Sequence, residues 1–239
     1  MPAAFYAARP GRVRDWWTVL HPPYTAWHLA YVAIGATLAP RVDGVRLVAT
    51  LLPFFCAVGV SAHALDEVHG HPLHTGISDA ALWTVAVLGL VAAITVGVVA
   101  MSGVDVGLLV FIAIGALLLA AYNLEWFGGR LHTGVVFAAA WGSFPVLTSY
   151  YAQAERFNGV AVIAAIAAFF FSWAQRALSS RARELRRRVV RVDGTITRHD
   201  GSVTALDVMT LLQPLEVALH ALSWGMVALA VAMTVFRFN

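Results

Sequence analysis

The chain has 239 residues, of which 60% are hydrophobic and 12% are charged, and its mean hydropathy is +0.75. This composition is too apolar for a soluble domain of the same length and indicates an integral membrane protein. The formal net charge is +3, all 16 basic residues are arginine, and the sequence has no phosphate-binding loop, dinucleotide fingerprint or Cys-x-x-Cys pair, so soluble nucleotide chemistry and nucleic-acid binding have no support.

Seven apolar runs are long enough, at roughly 17 to 25 residues, to cross a bilayer as helices. In chain order they are 24–40, 45–65, 80–101, 106–124, 133–152, 160–177 and 213–236. The short alternating segments of a porin do not occur, which favours helices over a barrel. The sequence therefore predicts an all-α transmembrane bundle of about seven helices, organised as a single domain over 1–239.

A polar lead-in precedes the first predicted helix. It lacks the apolar core of a cleavable signal peptide and has the character of a cytoplasmic segment at the membrane surface. Its arginines and tryptophans are Arg9, Arg12, Arg14, Trp16 and Trp17. The two tryptophans, with Tyr24 and Trp27, are expected to form an aromatic belt at the interface.

The distribution of arginine predicts the orientation in the membrane. With the N-terminus in the cytoplasm, 12 arginines lie on the inner side and 4 on the outer side, and 8 of the 12 belong to the region 176–198. Cytoplasmic segments are enriched in arginine and lysine. We therefore expect the N-terminus and the basic loop inside and the C-terminus outside.

One polar excursion, 178–207, separates the sixth and seventh predicted helices. Its first part, 179–190, is strongly basic and compatible with a helix. The residues that follow alternate between apolar and polar and contain Asp-Gly at 193–194 and 200–201, which predicts a small β-hairpin. Anionic lipid headgroups or phosphate are the expected partners of the basic part.

The stretch 62–78 is the most informative part of the chain, because it places two adjacent carboxylates and four histidines at the end of the second predicted helix. Ionisable groups at membrane depth are costly and mark candidate functional sites. If the helix continues to the next proline, His63, Asp66 and Glu67 share one face, and His69 follows Asp66 by three residues. These four residues predict a metal site, in which carboxylates favour Mg²⁺ and histidines favour Zn²⁺ or iron. The alternative is a hydrated helix end.

Three segments resemble motifs of the UbiA-type intramembrane prenyltransferases. Residues 62–78 are similar to the family's first aspartate-rich motif, Asn-x-x-x-Asp-x-x-x-Asp, and to the basic-Pro-Leu-Pro-x-Gly-x-Ile-Ser segment after it. Residues 122–125, Tyr-Asn-Leu-Glu, with Arg130 resemble the Tyr-plus-basic loop after the fourth helix. Residues 141–151 resemble the Gly-Pro-Leu-Pro-Val-Leu-Gly-x-Tyr-Tyr segment of the quinone-pathway branch. The three segments follow the family's order over 24–177.

This resemblance implies a UbiA-like bundle with a cytoplasmic mouth, and the transfer of an isoprenoid chain from a prenyl diphosphate to a small acceptor. It implies Mg²⁺ as cofactor, with other divalent ions as alternatives. It assigns catalysis to Asp66 and Glu67 and substrate binding to Tyr122, Asn123 and Arg130.

The chain also departs from the family pattern. Ala62 and Gly70 stand where the first motif has its Asn and its last Asp. The region 172–181, where the family has a second aspartate set, contains no carboxylate. The family typically has nine helices, whereas this chain has about seven.

Arginines occupy the place of the second aspartate set. Arg176 and Arg181 lie there, and Arg130 belongs to the same predicted mouth. Because an arginine can neutralise a diphosphate leaving group through bidentate hydrogen bonds, these three predict a phosphate clamp. Four further arginines are expected on a solvated or lipid-facing surface: Arg183, Arg186, Arg187 and Arg188.

Three functions are compatible with these features. The first is a divergent prenyltransferase, and the second is a non-catalytic protein of the same fold that binds an isoprenoid or quinone-like lipid. The third is a seven-helix zinc hydrolase resembling the ceramidase and adiponectin-receptor group, with His63, Asp66 and His220. The last helix lacks that group's His-x-x-x-His pair, because Trp224 follows His220 at that offset. Otherwise His28, His132 and His220 are expected to be satisfied interior or helix-end histidines.

Overall fold

The computed structural model describes residues 3–9, 11–100 and 103–239, which form eight helices and one β-hairpin within those ranges. A short surface helix, α1 (Arg12–Val19), precedes α2 (Pro22–Thr37). The remaining elements, in chain order, are α3 (Gly44–Val68), α4 (Asp79–Ala100), α5 (Leu108–Asn123), α6 (134–154), α7 (Gly159–Arg187), β1 (Gly194–Thr197), β2 (Val203–Leu206) and α8 (Val208–Phe238).

Helices α2 to α8 correspond one by one to the seven apolar runs, so the predicted all-α membrane bundle is confirmed. Within the described residues, α3, α4, α7 and α8 are long and apolar enough to span a bilayer, and α5 is a shorter apolar helix. Many large apolar side chains face outward along these helices, as expected for lipid contact. The predicted end of the third run, Met101, lies outside the described residues.

The centre of the bundle is α2, which packs against both α6 and α8. Trp27, Tyr31 and Val146 are fully buried at this contact. Gly35 lets the backbones of α2 and α6 touch, because a Cβ there would clash with the carbonyl of Val146. This close approach holds α6 beside the polar residues of α2.

Two helices contain wider, π-helical turns that change the direction of their side chains. The turn Phe55–Ala62 in α3 follows Pro53, whose missing N–H removes a helical hydrogen bond. The turn Ala139–Ser143 in α6 precedes Pro145. Both turns lie next to the candidate site, which is described below.

The segment between α7 and α8 is shorter than the polar excursion 178–207 that the sequence predicts. Helix α7 continues to Arg187, ten residues past the predicted end, so most of the basic segment 179–190 is helical. The residues beyond it form an antiparallel hairpin in which Gly194 pairs with Leu206 and Thr197 with Val203. The arginines up to Arg187 therefore lie on one continuous helix and point to different sides of it.

Candidate functional site

A polar cavity of about 280 Å³ lies between the ends of α3, α5 and α7 and is closed on its inner side by α2 and α6. Seven of the nine predicted site residues line it. They are His63, Asp66, Glu67, His69, Tyr122, Asn123 and Arg176. Residues from three distant parts of the sequence therefore converge as the resemblance implies.

The two adjacent carboxylates have different surroundings. Glu67 is fully buried, and its carboxylate accepts hydrogen bonds from the Leu73 amide at 2.9 Å, the Thr75 amide at 3.1 Å and the Thr75 hydroxyl at 2.8 Å. The His71 Nδ1 lies 3.6 Å away. Glu67 thus anchors the loop after α3, and both of its oxygens are occupied. Asp66 is half-buried and makes no hydrogen bond or ion pair with a described residue, so its carboxylate is available to the cavity.

Arg130 and Arg181 do not reach the cavity. Arg181 is exposed and forms an ion pair with Glu184 at 2.8 Å on the outer face of α7. Arg130 is exposed in the loop after α5, where Gly128 and Gly129 adopt positive φ angles and turn the chain outward. The predicted clamp of three arginines is therefore not assembled from these residues.

Arg183 and Arg187, which the sequence analysis placed on an outer surface, line the cavity together with Arg176. The three are separated by seven and four residues and so form one stripe along α7. This spacing is the sequence signal that distinguishes them from Arg181. None of the three forms an ion pair with a carboxylate of a described residue, whereas Arg186, on another face, is bound to Glu216 by two hydrogen bonds.

Each arginine of the stripe is held by a weak or neutral partner. The Arg176 guanidinium lies 3.1 Å from His132 Nε2 and 5.2 Å from the centre of the Phe137 ring. Arg183 donates to the Ser180 hydroxyl at 3.3 Å, and Arg187 Nε donates to the Ala3 carbonyl at 3.1 Å. Their positive charges are therefore only partly balanced, by attraction of Arg176 to Asp66 and of Arg187 to Glu67 and Asp66.

Three buried polar atoms of the cavity have no hydrogen-bond partner within the described protein. They are His21 Nδ1, the Tyr122 hydroxyl and Gln175 Oε1. Buried polar atoms are nearly always hydrogen-bonded, so these three indicate a place for a polar ligand or for water. Burial lowers the pKa of the His21 imidazole well below its ordinary value and raises the pKa of the nearby Tyr6 hydroxyl, so both side chains are neutral at pH 7.

A second cavity, apolar and about 920 Å³ in volume, runs between α3, α4, α5 and α6. Its walls include Leu90, Ile94, Ile112 and Leu119. Trp141, in the π-helical turn of α6, lines both cavities. The polar and the apolar cavity are thus neighbours that share one side chain.

The shared wall is aromatic and rigid. The ring of Trp141 stacks on Phe137 at 5.6 Å with an interplanar angle of 5° and lies 4.6 Å from Tyr122. Tyr122 in turn stacks on His132 at 4.4 Å. The Trp141 carbonyl accepts a hydrogen bond of 2.9 Å from His28 Nδ1, which fixes this wall to α2.

The predicted metal ligands do not fit a preformed metal site. Within the described residues there is no group of three or more His, Cys, Asp or Glu side chains that could hold a metal ion. Glu67 uses both oxygens for the loop, and the Nδ1 atoms of His63 and His69 face the carbonyls of Gly59 and Leu65. Asp66 alone offers a free carboxylate.

The zinc-hydrolase arrangement is likewise not assembled in the described part of the chain. His220 does not line the polar cavity and packs against Phe5, with 4.2 Å between the ring centres. His63 and Asp66 therefore lack the third ligand that this chemistry needs.

Comparison with solved structures finds a similar fold. A UbiA homologue from Archaeoglobus fulgidus, in a structure bound to Cd²⁺, matches 94% of this chain and 85% of its own chain, with a TM-score of 0.50 and 14% sequence identity. This chain has a UbiA-type fold. The resemblance inferred from the three motifs is thereby confirmed at the level of the fold. No known family profile and no curated protein sequence matches the chain.

The UbiA fold explains why the three motif segments meet. The ends of α3, α5 and α7 surround the polar cavity, which agrees with the predicted mouth after the second, fourth and sixth bundle helices. The fold also places a helix end, α7, opposite Asp66, where the chain has arginines instead of aspartates. In this chain the wall of the cavity formed by α7 is therefore positively charged.

Proposed function

We propose that this protein binds a prenyl diphosphate at the mouth of its UbiA-type bundle and transfers the prenyl chain to a small acceptor. The observation that carries the proposal is the junction at Trp141, where an arginine-lined polar cavity meets an apolar cavity three times its volume. An amphiphile with a phosphorylated head and a hydrocarbon chain matches this pair of cavities. Neither cavity alone specifies such a ligand.

The stripe of Arg176, Arg183 and Arg187 supplies the charge that a diphosphate requires. Guanidinium groups remain protonated and bind phosphate oxygens through paired hydrogen bonds. Since none of the three is neutralised by an ion pair within the described residues, binding an anion does not require breaking one. The Tyr122 hydroxyl, unpartnered in the same cavity, is a further donor for the head group.

The reaction that follows is substitution at the first carbon of the prenyl chain. The bond from this carbon to the diphosphate oxygen breaks, the electron pair leaves with the diphosphate, and a new bond forms to the acceptor. Arginines stabilise the charge that develops on the leaving group, which lowers the barrier.

The Archaeoglobus relative was solved with Cd²⁺, but the residues of this chain favour charge neutralisation by arginine. Of the predicted metal ligands, only Asp66 has a free carboxylate among the described residues, so an ion would have to be held mainly by the ligand's own phosphates. We therefore expect binding of a prenyl diphosphate to persist when divalent ions are removed.

The test is a binding titration of geranylgeranyl diphosphate to the protein in nanodiscs, with EDTA and with Mg²⁺. Arg183→Gln should weaken binding by about tenfold or more, because one charge-assisted contact is lost. Arg181→Gln is the matched control on the opposite face of the same helix turn and should bind as the unaltered protein does. Asp66→Asn should tighten binding in EDTA, because it removes a negative charge from the cavity.

Contrary results are equally clear. Loss of all binding in EDTA, together with weaker binding by Asp66→Asn in Mg²⁺, would show a metal-dependent site and overturn the arginine mechanism. Equal effects of the Arg181 and Arg183 substitutions would show that the diphosphate does not bind in the polar cavity.

Binding without turnover is the second candidate function. It is favoured by the lack of a group of metal ligands in the described residues. Release of inorganic diphosphate from the bound ligand separates the two functions, since a binding protein would return the ligand intact.

A further inference from the structure

His28 lies in α2, in the wall of the polar cavity beside Trp141. The side chain is 4% exposed and lines the polar cavity, and its ring centre is 6.0 Å from that of Phe137. Its Nδ1 atom is bonded to the carbonyl of Trp141, the residue shared by both cavities. A ligand that spans the junction must therefore pass close to this imidazole.

The hydrogen bond to Trp141 determines the tautomer of His28. A carbonyl oxygen can only accept, so Nδ1 carries the proton and Nε2 keeps a lone pair. The carbonyl is available because in a regular helix it would pair with the amide of residue 145, which is Pro145 and has no N–H. The backbone of α6 thus holds His28 as a neutral acceptor.

Other acceptors, including His21 and Glu125, also line the cavity, but within the described residues His28 is the one whose ring is bonded to the Trp141 carbonyl. Glu67 is bound to the loop after α3, and His132 Nε2 faces the Arg176 guanidinium. The His63 ring packs on His21 at 4.2 Å, and its Nδ1 faces the Gly59 carbonyl. Asp66 lines the polar cavity but not the apolar one.

We infer that His28 is the general base of the reaction. This assignment rests on the proposed function, in which a prenyl diphosphate spans the two cavities. As the carbon–oxygen bond to the diphosphate breaks, the acceptor forms its bond to the same carbon, and the proton of the acceptor passes to His28 Nε2. The product is an alkylated acceptor, a diphosphate anion held by arginines and an imidazolium that returns its proton to the solvent at the cavity mouth.

Two substitutions separate the base from its structural contact. His28→Asn places an amide N–H near the Nδ1 position, so the bond to the Trp141 carbonyl is kept while the base is lost. His28→Gln places its amide near the Nε2 position and also lacks a base. The control is His199→Asn, since His199 is an exposed histidine in the turn of the β-hairpin and does not line the cavity.

The readouts are binding of geranylgeranyl thiolodiphosphate and release of diphosphate from geranylgeranyl diphosphate, with water as the acceptor, using the full chain in nanodiscs. We expect both His28 variants to bind the thiolo analogue normally and to release diphosphate about 100-fold more slowly or worse, the range of general-base catalysis. His199→Asn should match the unaltered protein in both readouts.

The assignment and the proposed function fail in different ways. If the unaltered protein does not bind the analogue, the proposed function itself is wrong. If it binds the analogue but releases no diphosphate, the protein binds without turnover and the proposed transfer is wrong. If it releases diphosphate and His28→Asn does so at the normal rate, the transfer stands but His28 is not the base. Loss of binding in both His28 variants would also overturn the assignment, because His28 would then be a structural side chain.

Discussion

Asp66 and Glu67 show how two identical functional groups, adjacent in the chain, acquire different roles. They point in directions about 100° apart on the last turn of α3. Glu67 faces the loop and is enclosed by three hydrogen-bond donors, whereas Asp66 faces the polar cavity without a partner among the described residues. The first is expected to stabilise the fold, and the second to affect the ligand.

The role of Glu67 leads to a stability prediction. Glu67→Ala leaves the amides of Leu73 and Thr75 unpaired, which should lower the free energy of unfolding by about 2 to 4 kcal/mol. The measurement is unfolding of the purified protein in mixed micelles, followed by circular dichroism. Asp66→Asn is the control and should leave this free energy unchanged. Equal stability of the two variants would contradict the anchoring role.

Helices α6 and α7 form the element-scale unit that builds the site. Their closest approach is at Gly142, where a Cβ would lie 2.5 Å from the Ala168 carbonyl and 2.7 Å from the Ser172 hydroxyl. The neighbours of this contact include Trp141 on one helix and Arg176 one turn further on the other. The spacing of the two helices therefore determines the distance between the aromatic wall and the arginine stripe.

Gly142→Ala tests this contact. The added methyl group cannot be accommodated without separating the helices, and we expect a loss of about 1 to 3 kcal/mol of stability, as for other overpacked contacts. Gly225→Ala in α8 is the control, because a Cβ at that position meets nothing within 4 Å. Thermal unfolding in detergent should show a lower midpoint for the first variant alone.

The start of α8 depends on a capping box at Asp207. Its carboxylate accepts hydrogen bonds from the Thr210 amide at 2.7 Å and from the Thr210 hydroxyl, and the latter bond lowers the pKa of Asp207 below its ordinary value. A lowered folded-state pKa means that this contribution is complete above the ordinary pKa of aspartate and is lost as pH falls through the lowered value.

Substitution of Asp207 should reveal the cap. Asp207→Ala should lower the thermal midpoint at pH 7, whereas Asp207→Asn, which caps without titrating, should not. Between pH 7 and pH 5 the difference between the alanine variant and the unaltered protein should stay constant. A difference that disappears over this interval would assign the effect to another group.

At the scale of the whole molecule, the bundle separates a basic, polar end from an apolar interior. The hairpin, the arginine stripe and the polar cavity all lie towards the end of the bundle where α7 finishes and α8 begins. The apolar cavity extends from Trp141 to Asp43 and Gly103 at the other end. This polarity agrees with the orientation predicted from arginine counts, which remains a prediction.

Cysteine labelling can determine the orientation. In a Cys56→Ser background, a thiol introduced by Ser202→Cys in the hairpin turn should react with an impermeant maleimide only after the cytoplasmic side is exposed. A thiol introduced by Arg156→Cys, between α6 and α7, should react from outside intact cells. The reverse pattern would place the polar cavity on the outer side of the membrane.

Class and fold were accessible from the sequence because their signals are local. An apolar run of sufficient length predicts a transmembrane helix without reference to the rest of the chain. The three motif segments predicted both the UbiA-type fold and most of the residues around one mouth. The spacing of Arg176, Arg183 and Arg187 can also be seen in the sequence. Intervals of seven and four residues place these three on one face of a helix, whereas Arg181 falls on another face.

Only the tertiary structure decided which polar groups are free to act. Whether a carboxylate is occupied depends on the loop that folds over it, as for Glu67, and whether an imidazole keeps a lone pair depends on a carbonyl 113 residues away, as for His28 and Trp141. Hydrogen-bond partners and burial arise from contacts between distant segments, and the hydropathy and spacing of residues in the sequence do not predict these contacts. The sequence by itself therefore determined the membrane bundle and the region of the mouth, and packing determined the chemistry inside it.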